Sequence, residues 1–245
     1  CVDTGTTPAG RPGSPIDTKH QLLCTWSAPI FVVLLSVGWV LVAGYIPPHS
    51  PDASAIEIAE FYRRHAAPIK AGMILSMLAA GFVGPWVAVI ATQMKRIEGG
   101  FPVLAYTQMI CGAIGILAFL LPVMIWATLA FRPDRDPQLT LLFNDLAWLL
   151  LTVTISPAVV QNIAIGTAIL GDKNPRPVFP RWAAYLNFWV ATSFVPALLI
   201  PFFKTGPFAW DGLIGFWMPL VDFGAWIVAM FFLLRRAIAQ QASAG

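Results

Sequence analysis

Two carboxylates, Asp145 and Asp222, lie well inside long apolar runs of this sequence. An ionised aspartate in hydrocarbon is costly unless it is paired, hydrated or protonated, so each one is a candidate for a functional site. Asp222 lies near the middle of its run, where it could bind a ligand or carry a proton. The same residue could equally be a packing element that hydrogen-bonds neighbouring helices. Both interpretations stay open from the sequence.

Four amide side chains, Gln108, Gln161, Asn162 and Asn187, lie in the same apolar runs. If these runs are helices that cross a bilayer at about 1.5 Å per residue, the amides share one depth, with Asp222 above them. Together they could form a polar intramembrane site for a ligand or a proton. Alternatively, each amide joins helices by a hydrogen bond worth about 1 kcal/mol.

The remaining inventory of reactive side chains is sparse. His20, His49 and His65 lie outside the apolar runs, which excludes an intramembrane histidine pair for haem and a di-metal histidine cluster. The sequence contains no Gly-rich phosphate loop, nucleophile elbow or HExxH motif. We therefore predict no catalytic residue, no metal site and no cofactor. A lipid or another lipophile, such as a sterol, quinone or pigment, could still bind in a groove lined by Trp and Phe.

The composition requires a membrane. Hydrophobic residues make up 58% of the chain and charged residues 11%, and backbone in lipid must satisfy its own hydrogen bonds. These features predict an all-α bundle of six transmembrane spans between an N-terminal tail (residues 1–20) and a C-terminal tail (237–245). The spans are predicted at residues 22–46, 69–94, 103–131, 139–170, 182–203 and 212–234, within a domain of residues 21–236.

Every predicted span contains proline. A proline removes a backbone donor and presses on the preceding turn, so we expect kinks that could open a cavity. Proline is also ordinary in membrane helices when neighbours satisfy the freed groups. The prolines concerned are Pro29, Pro85, Pro122, Pro157, Pro196, Pro201 and Pro219.

The connection between spans one and two contains its own helix signal. Ser54 and Glu57 have the spacing of a capping box, and an apolar side follows. Glu60 and Arg64 have the i,i+4 spacing of a solvated ion pair. The pattern predicts a short amphipathic helix on the outer face of the membrane.

Charge predicts orientation and excludes one class of partner. If the N-terminus is cytoplasmic, nine Lys and Arg lie on the inner side and six on the outer side, which predicts that both termini are cytoplasmic. The net charge is +3, and the basic residues are scattered, so we expect no nucleic-acid partner. Cys1 is a candidate for lipidation, although truncation would also explain a chain that starts with cysteine. Cys24 and Cys111 are expected to be buried free thiols.

Two outer connections combine turn residues, charges and aromatics beyond what a spacer needs. They could dock a partner protein, or they could pack on the capped helix as an external cover. The docking candidates are Arg132, Asp134 and Arg135 in one connection and Lys204 and Trp210 in the other.

Residues 61–65, 131–137, 180–187 and 201–207 resemble segments of a group of bacterial multi-pass membrane proteins that have no established activity. The resemblance covers most of the chain after Asp52 and implies a bacterial cytoplasmic membrane, but no catalytic residue. The sequence favours a non-catalytic accessory subunit that packs against lipids and other membrane subunits. The alternative is a small transporter or lipophile-binding protein with its site around Asp222.

Overall fold

The structure is a computed structural model that describes residues 15–243, and all regular elements in that range are helical. The helices are α1 (Pro15–Thr25), α2 (Ser27–Leu35), α3 (Ala55–Gly81), α4 (Val83–Glu98), α5 (Val103–Phe131), α6 (Pro137–Val153), α7 (Ser156–Leu170), α8 (Arg181–Phe194) and α9 (Met218–Ser243). Three further segments have a different pitch: π-helix at Ser36–Val42 and Leu213–Trp217, and 3-10 helix at Val195–Phe202. Cys1 lies outside the described residues.

Six helical stretches are long and apolar enough to cross a membrane, which is the predicted number. They are Thr18–Val42, Ala55–Glu98, Val103–Phe131, Pro137–Leu170, Arg181–Phe202 and Leu213–Ser243, called spans one to six below. The chain therefore has the architecture of a multi-pass membrane protein.

The capped helix is the beginning of span two rather than a separate element. Glu57 N–H donates to Ser54 Oγ at 3.3 Å, and Ser54 N–H donates to the Glu57 carboxylate at 2.7 Å, so the predicted capping box is confirmed. Glu60 and Arg64 form the expected ion pair. The chain then continues as α3, with a local departure from helical geometry at His65 (φ −116°, ψ 18°). The capped turns, residues 55–64, thus lie before a kink at His65, and the rest of α3 follows it.

Five spans are interrupted or change pitch, four of them well inside the span and span six near its beginning. Span two breaks at Phe82, between α3 and α4, and span four breaks at Thr154 and Ile155, between α6 and α7. Span one passes into π-helix after Leu35, span five into 3-10 helix after Phe194, and span six leaves π-helix at Trp217. Each interruption frees backbone groups from the regular hydrogen-bond pattern.

Most of the intraspan prolines lie in the first turn that follows such a change. Pro85, Pro157, Pro196 and Pro219 are the second or third residues of their segments. A missing N–H is harmless there, because the first helical donors have no intrahelical acceptor anyway. Pro122 differs, since it lies inside α5, which continues through it.

Spans one and two cross at closely approaching backbones. A Cβ built on Gly38 would lie 2.6 Å from the carbonyl oxygen of Gly72, and one built on Gly72 would overlap the carbonyl oxygen of Gly38. Small residues at such crossings let helix backbones approach. Helix α5 packs against α3, α4, α6 and α7.

Candidate functional site

An intramembrane cavity of about 210 Å³ lies where the spans are interrupted. All six spans contribute to its wall, and the wall includes the break points themselves: Leu35, Phe82, Thr154, Ile155, Phe194 and Phe216. Regular helices would bring continuous side-chain rows together at this depth. The interruptions instead separate the backbones and leave the space between them unfilled.

Aromatic rings dominate one side of the cavity. Phe31 contacts Phe119 edge to face at 5.5 Å between ring centroids, and Phe119 stacks on Phe223 at 6.1 Å. Phe223 stacks in turn on Trp226, whose ring meets Trp86 edge to face. These rings come from spans one, two, three and six, so the wall depends on the whole bundle.

Three residues with polar side chains line the cavity, Thr152, Thr154 and Gln161, and Gln161 is the amide among them. Gln161, on the first turns of α7, is 9% exposed and makes no hydrogen bond to any other described residue, whereas Thr154 is exposed. Gly112 on α5 makes room for it, because a Cβ at that position would lie 2.9 Å from Gln161 Nε2 and 2.6 Å from Val87 Cγ2. Thr152 also lines the cavity, but its hydroxyl donates to the Trp148 carbonyl at 2.7 Å. No charged side chain lines the cavity in the described range.

The other three predicted amides do not line the cavity, and each donates a hydrogen bond, although Gln108 Oε1 and Asn162 Oδ1 are buried without a partner among residues 15–243. Gln108 Nε2 donates to the Val87 carbonyl at 3.4 Å, and Asn162 Nδ2 donates to the Ala158 carbonyl at 2.9 Å. Asn187 Nδ2 donates to the carbonyl of Ala183, and its oxygen accepts from Trp226 Nε1 at 2.9 Å. Asn187 therefore hydrogen-bonds the indole of Trp226, whose ring lines the cavity.

Asp222 does not line the cavity. It is half-buried at the junction of spans five and six, where it accepts a hydrogen bond from Trp189 Nε1 at 3.3 Å. Its carboxylate makes no hydrogen bond to any of the four amides within residues 15–243. The structure thus brings Gln161 to the cavity and leaves Asp222 at the margin of the bundle.

Asp145 has a different electrostatic neighbour from the one its depth suggests. Depth alone would pair it with Lys70, but the cation that acts on its carboxyl group is Lys204, in the connection after span five. One Asp145 carboxylate oxygen is buried without a hydrogen-bond partner in the described part of the chain. Asp145 therefore lies near the connection after span five.

A buried hydrogen-bond chain crosses the bundle near the connection between spans one and two. Tyr45 donates its hydroxyl hydrogen to the Tyr62 oxygen at 2.8 Å, and Tyr62 donates to Asn144 Oδ1 at 3.1 Å. Burial, reinforced by Tyr62, raises the pKa of Tyr45 well above its ordinary value, so Tyr45 remains a donor at physiological pH. The chain joins the first connection, α3 and α6.

Tryptophans surround this hydrogen-bond chain. Trp39 stacks on Trp126 at 5.8 Å, and Trp126 meets Trp148 edge to face at 5.0 Å. The indole N–H groups of these three residues have no hydrogen-bond partner among residues 15–243. Where rings meet edge to face, an indole N–H group can point at the face of the neighbouring ring, which is a weak but favourable contact. This cluster is a packed core, and Trp39 joins it to the wall of the cavity.

The docking candidates divide between surface and core. Trp210 is 6% exposed, stacks on Trp148 at 6.3 Å and donates to the His49 carbonyl at 2.8 Å, so its indole is not available at the surface. Asp134 reaches Arg63 on α3 at 3.9 Å. Both connections thus rest on the first connection or α3. Arg132 and Lys204 remain exposed, and Arg135 is half-buried.

The thiols and the acidic side chains add no further site. Cys24 and Cys111 are free and half-buried. Within residues 15–243, His, Cys, Asp and Glu side chains form no group of three that could hold a metal ion.

The stability of the folded protein is expected to depend on pH through His49. Burial, and to a smaller extent the nearby His65, lowers the pKa of His49. The unfolded chain therefore binds a proton at higher pH than the folded protein does, and we expect the folded state to lose stability as pH falls below about 6.5. Thermal unfolding in nanodiscs at pH 7.5 and pH 5 measures this loss, and His49→Gln should reduce it.

The matched control for that measurement is His20→Gln, because His20 is exposed on α1. This variant should lose as much stability on acidification as the wild type. An equal loss in the His49→Gln protein would show that other groups cause the pH dependence.

No family model, curated protein or solved structure matches this chain.

Sequence reasoning allowed a groove lined by Trp and Phe but did not name the rings that form the wall, and it missed the buried tyrosine pair. One local signal for the wall was present: Gly112, Gly115 and Ala118 put small residues on one face of α5, and all three line the cavity. The tyrosine pair has no such signal, because Tyr45 lies in a connection and Tyr62 in a helix.

Proposed function

We propose that this protein binds a neutral lipophile inside the membrane, in the cavity at the level of the helix interruptions. The observation that carries the proposal is the wall itself: apolar and aromatic side chains from all six spans, one unpartnered amide and no charge among the described lining residues. An apolar cavity of about 150 Å³ takes up benzene, and this cavity of about 210 Å³ is larger. The proposal moves the intramembrane site from Asp222 to Gln161.

The alternative of an accessory subunit rests on apolar surface. Large side chains such as Leu41, Phe101 and Phe232 are indeed exposed. Lipid chains would cover them as well as a partner subunit would, so they do not favour a partner. We therefore place lipophile binding first, whether it serves storage, delivery or transport.

The setting of this site follows from sequence arguments. The resemblance to bacterial membrane proteins supports a bacterial cytoplasmic membrane, and the distribution of Lys and Arg supports cytoplasmic termini. We attribute the interruptions of spans two, four, five and six to the prolines that follow them, and the bend at His65 to Pro68. In this setting the capped turns of α3 lie at the outer membrane surface.

Filling the cavity should abolish binding. Gly115 lines the cavity, and a Cβ at that position meets no atom within 4 Å, so a larger side chain can enter the space without a clash at its base. We expect Gly115→Phe to weaken binding of bromobenzene at least about tenfold, because pocket volume governs such affinities. Heavy-atom quenching of tryptophan fluorescence reports the binding, since Trp39, Trp86 and Trp226 line the cavity.

Gly224→Phe is the matched control. Gly224 is also a helical glycine with no atom within 4 Å of a built Cβ, but it is exposed on α9 and does not line the cavity. It should bind bromobenzene like the wild type. The proposal fails if wild type, Gly115→Phe and Gly224→Phe proteins are quenched equally in nanodiscs. If the wild type binds bromobenzene as expected, lipid extraction and mass spectrometry of the wild-type protein would identify the natural occupant.

A further inference from the structure

Gln161 differs from the other three intramembrane amides. Gln108, Asn162 and Asn187 each donate to a backbone carbonyl, whereas Gln161 makes no hydrogen bond within residues 15–243. It is nevertheless more than nine-tenths buried. A buried amide that leaves its donor and acceptor groups unused is unfavourable, so such a group in a native structure calls for a partner.

The local structure aims this amide into the cavity. Helix α7 begins at the break in span four, and Ile155, Ala158 and Gln161 recur every three residues on the face that lines the cavity. Gly112 on α5 lacks the Cβ that would collide with Gln161 Nε2. The side chain therefore lies between an open glycine face and the cavity, in a wall that is otherwise almost entirely apolar.

The surroundings restrict the partner in two ways. The described lining residues carry no charge, and a charged ligand without a counter-charge would be strongly disfavoured in such a site. The stacked rings of Phe119, Phe223 and Trp226 favour a planar ring over a saturated chain, because aromatic rings prefer offset stacking or edge contacts with other rings.

We infer that the ligand is a neutral ring compound with one hydrogen-bonding oxygen, a carbonyl or a hydroxyl, and that this oxygen is bound by the side-chain amide of Gln161. The inference rests on the proposed function and names the ligand class of the same cavity. An amide can donate to either kind of oxygen and can also accept from a hydroxyl. Phenol-type and ketone-type ligands therefore share this chemistry.

The test compares three two-ring probes that differ in one substituent: 2-naphthol, 2-acetylnaphthalene and 2-methylnaphthalene. Binding to wild-type protein in nanodiscs is measured by quenching or energy transfer from tryptophan, with empty nanodiscs as the correction for partition into lipid. We expect at least one oxygenated probe to bind about tenfold more tightly than 2-methylnaphthalene, the usual size of one net hydrogen bond. The oxygenated probe with the larger gain in affinity shows whether the site prefers a hydroxyl or a carbonyl ligand.

Gln161→Leu keeps the side-chain volume and removes the hydrogen-bonding groups. This variant should bind 2-methylnaphthalene at least as well as the wild type and lose the preference for the oxygenated probes. Asn162→Leu is the matched control, since Asn162 is the next buried amide on α7 but does not line the cavity. It should keep the preference. Binding of 2-methylnaphthalene to both variants shows that they are folded.

Two results overturn the inference in distinguishable ways. If the wild type binds all three probes equally, or if Gln161→Leu keeps the preference, the cavity binds lipophiles but Gln161 does not select their oxygen. If the wild type binds none of the probes and Gly115→Phe changes nothing, the proposed function fails and the ligand class fails with it.

Discussion

Replacing Gly72 with alanine should destabilise the fold by about 3 kcal/mol or more, because the new methyl group has no place to go. The Cβ would overlap the Gly38 carbonyl oxygen and would also lie 2.7 Å from Ala43 Cβ. Two of the atoms it meets belong to the backbone of span one, so no side-chain rotation relieves the contact. Spans one and two would have to separate, and the contacts that follow from their crossing would weaken with them.

Unfolding by SDS in mixed micelles, or thermal unfolding in nanodiscs, measures this effect. Gly81→Ala is the control on the same helix, since a Cβ there meets nothing within 4 Å. That change should be neutral or slightly stabilising, because alanine is favoured over glycine in helices by up to about 1 kcal/mol. Equal stability of the Gly72→Ala and Gly81→Ala proteins would contradict the close crossing.

Tyr62→Phe, which removes the Tyr62 hydroxyl, should destabilise the fold by about 2–4 kcal/mol. Tyr62 accepts from Tyr45 and donates to Asn144, so Tyr62→Phe leaves one buried hydroxyl without its acceptor and one amide oxygen without its donor. Both groups are far from water: Tyr45 is fully buried and Asn144 is 4% exposed. The loss should therefore exceed that of one exposed hydrogen bond.

Tyr45→Phe is the informative comparison. It removes the first donor of the chain but leaves the bond from Tyr62 to Asn144 intact, so it should cost only about 1 kcal/mol. The same unfolding measurement applies to both variants. Equal losses for Tyr45→Phe and Tyr62→Phe would mean that the hydroxyls act independently and that no chain couples the first connection to α6.

Much of the fold could be predicted because its signals are local. A run of apolar residues specifies a membrane-length helix wherever it packs, and the number of spans follows from counting the runs. The capping box and the Glu60–Arg64 pair span three and four residues, so short-range spacing determines them. None of these features needs knowledge of the neighbouring helices.

The direction in which the site residues face could not be predicted. Rise per residue orders residues along a span, yet the side of a helix that faces inward changes by about 100° per residue and again at every interruption. Sequence reasoning therefore weighted Asp222 for its charge, whereas helix rotation directs it toward Trp189. The break at Thr154 determines the direction in which Gln161 faces, because the helix restarts only a few residues before it.

One consequence follows from α5, the span that continues as regular α-helix from Val103 to Phe131 while the other five are interrupted or change pitch. Spans two and four, by contrast, are each divided into two helices, at Phe82 and at Thr154 and Ile155. A thicker or thinner bilayer would be accommodated mostly at these breaks, since two helices can tilt relative to each other there without breaking helical hydrogen bonds. Phe82, Thr154 and Ile155 line the cavity, so its volume should respond to membrane thickness.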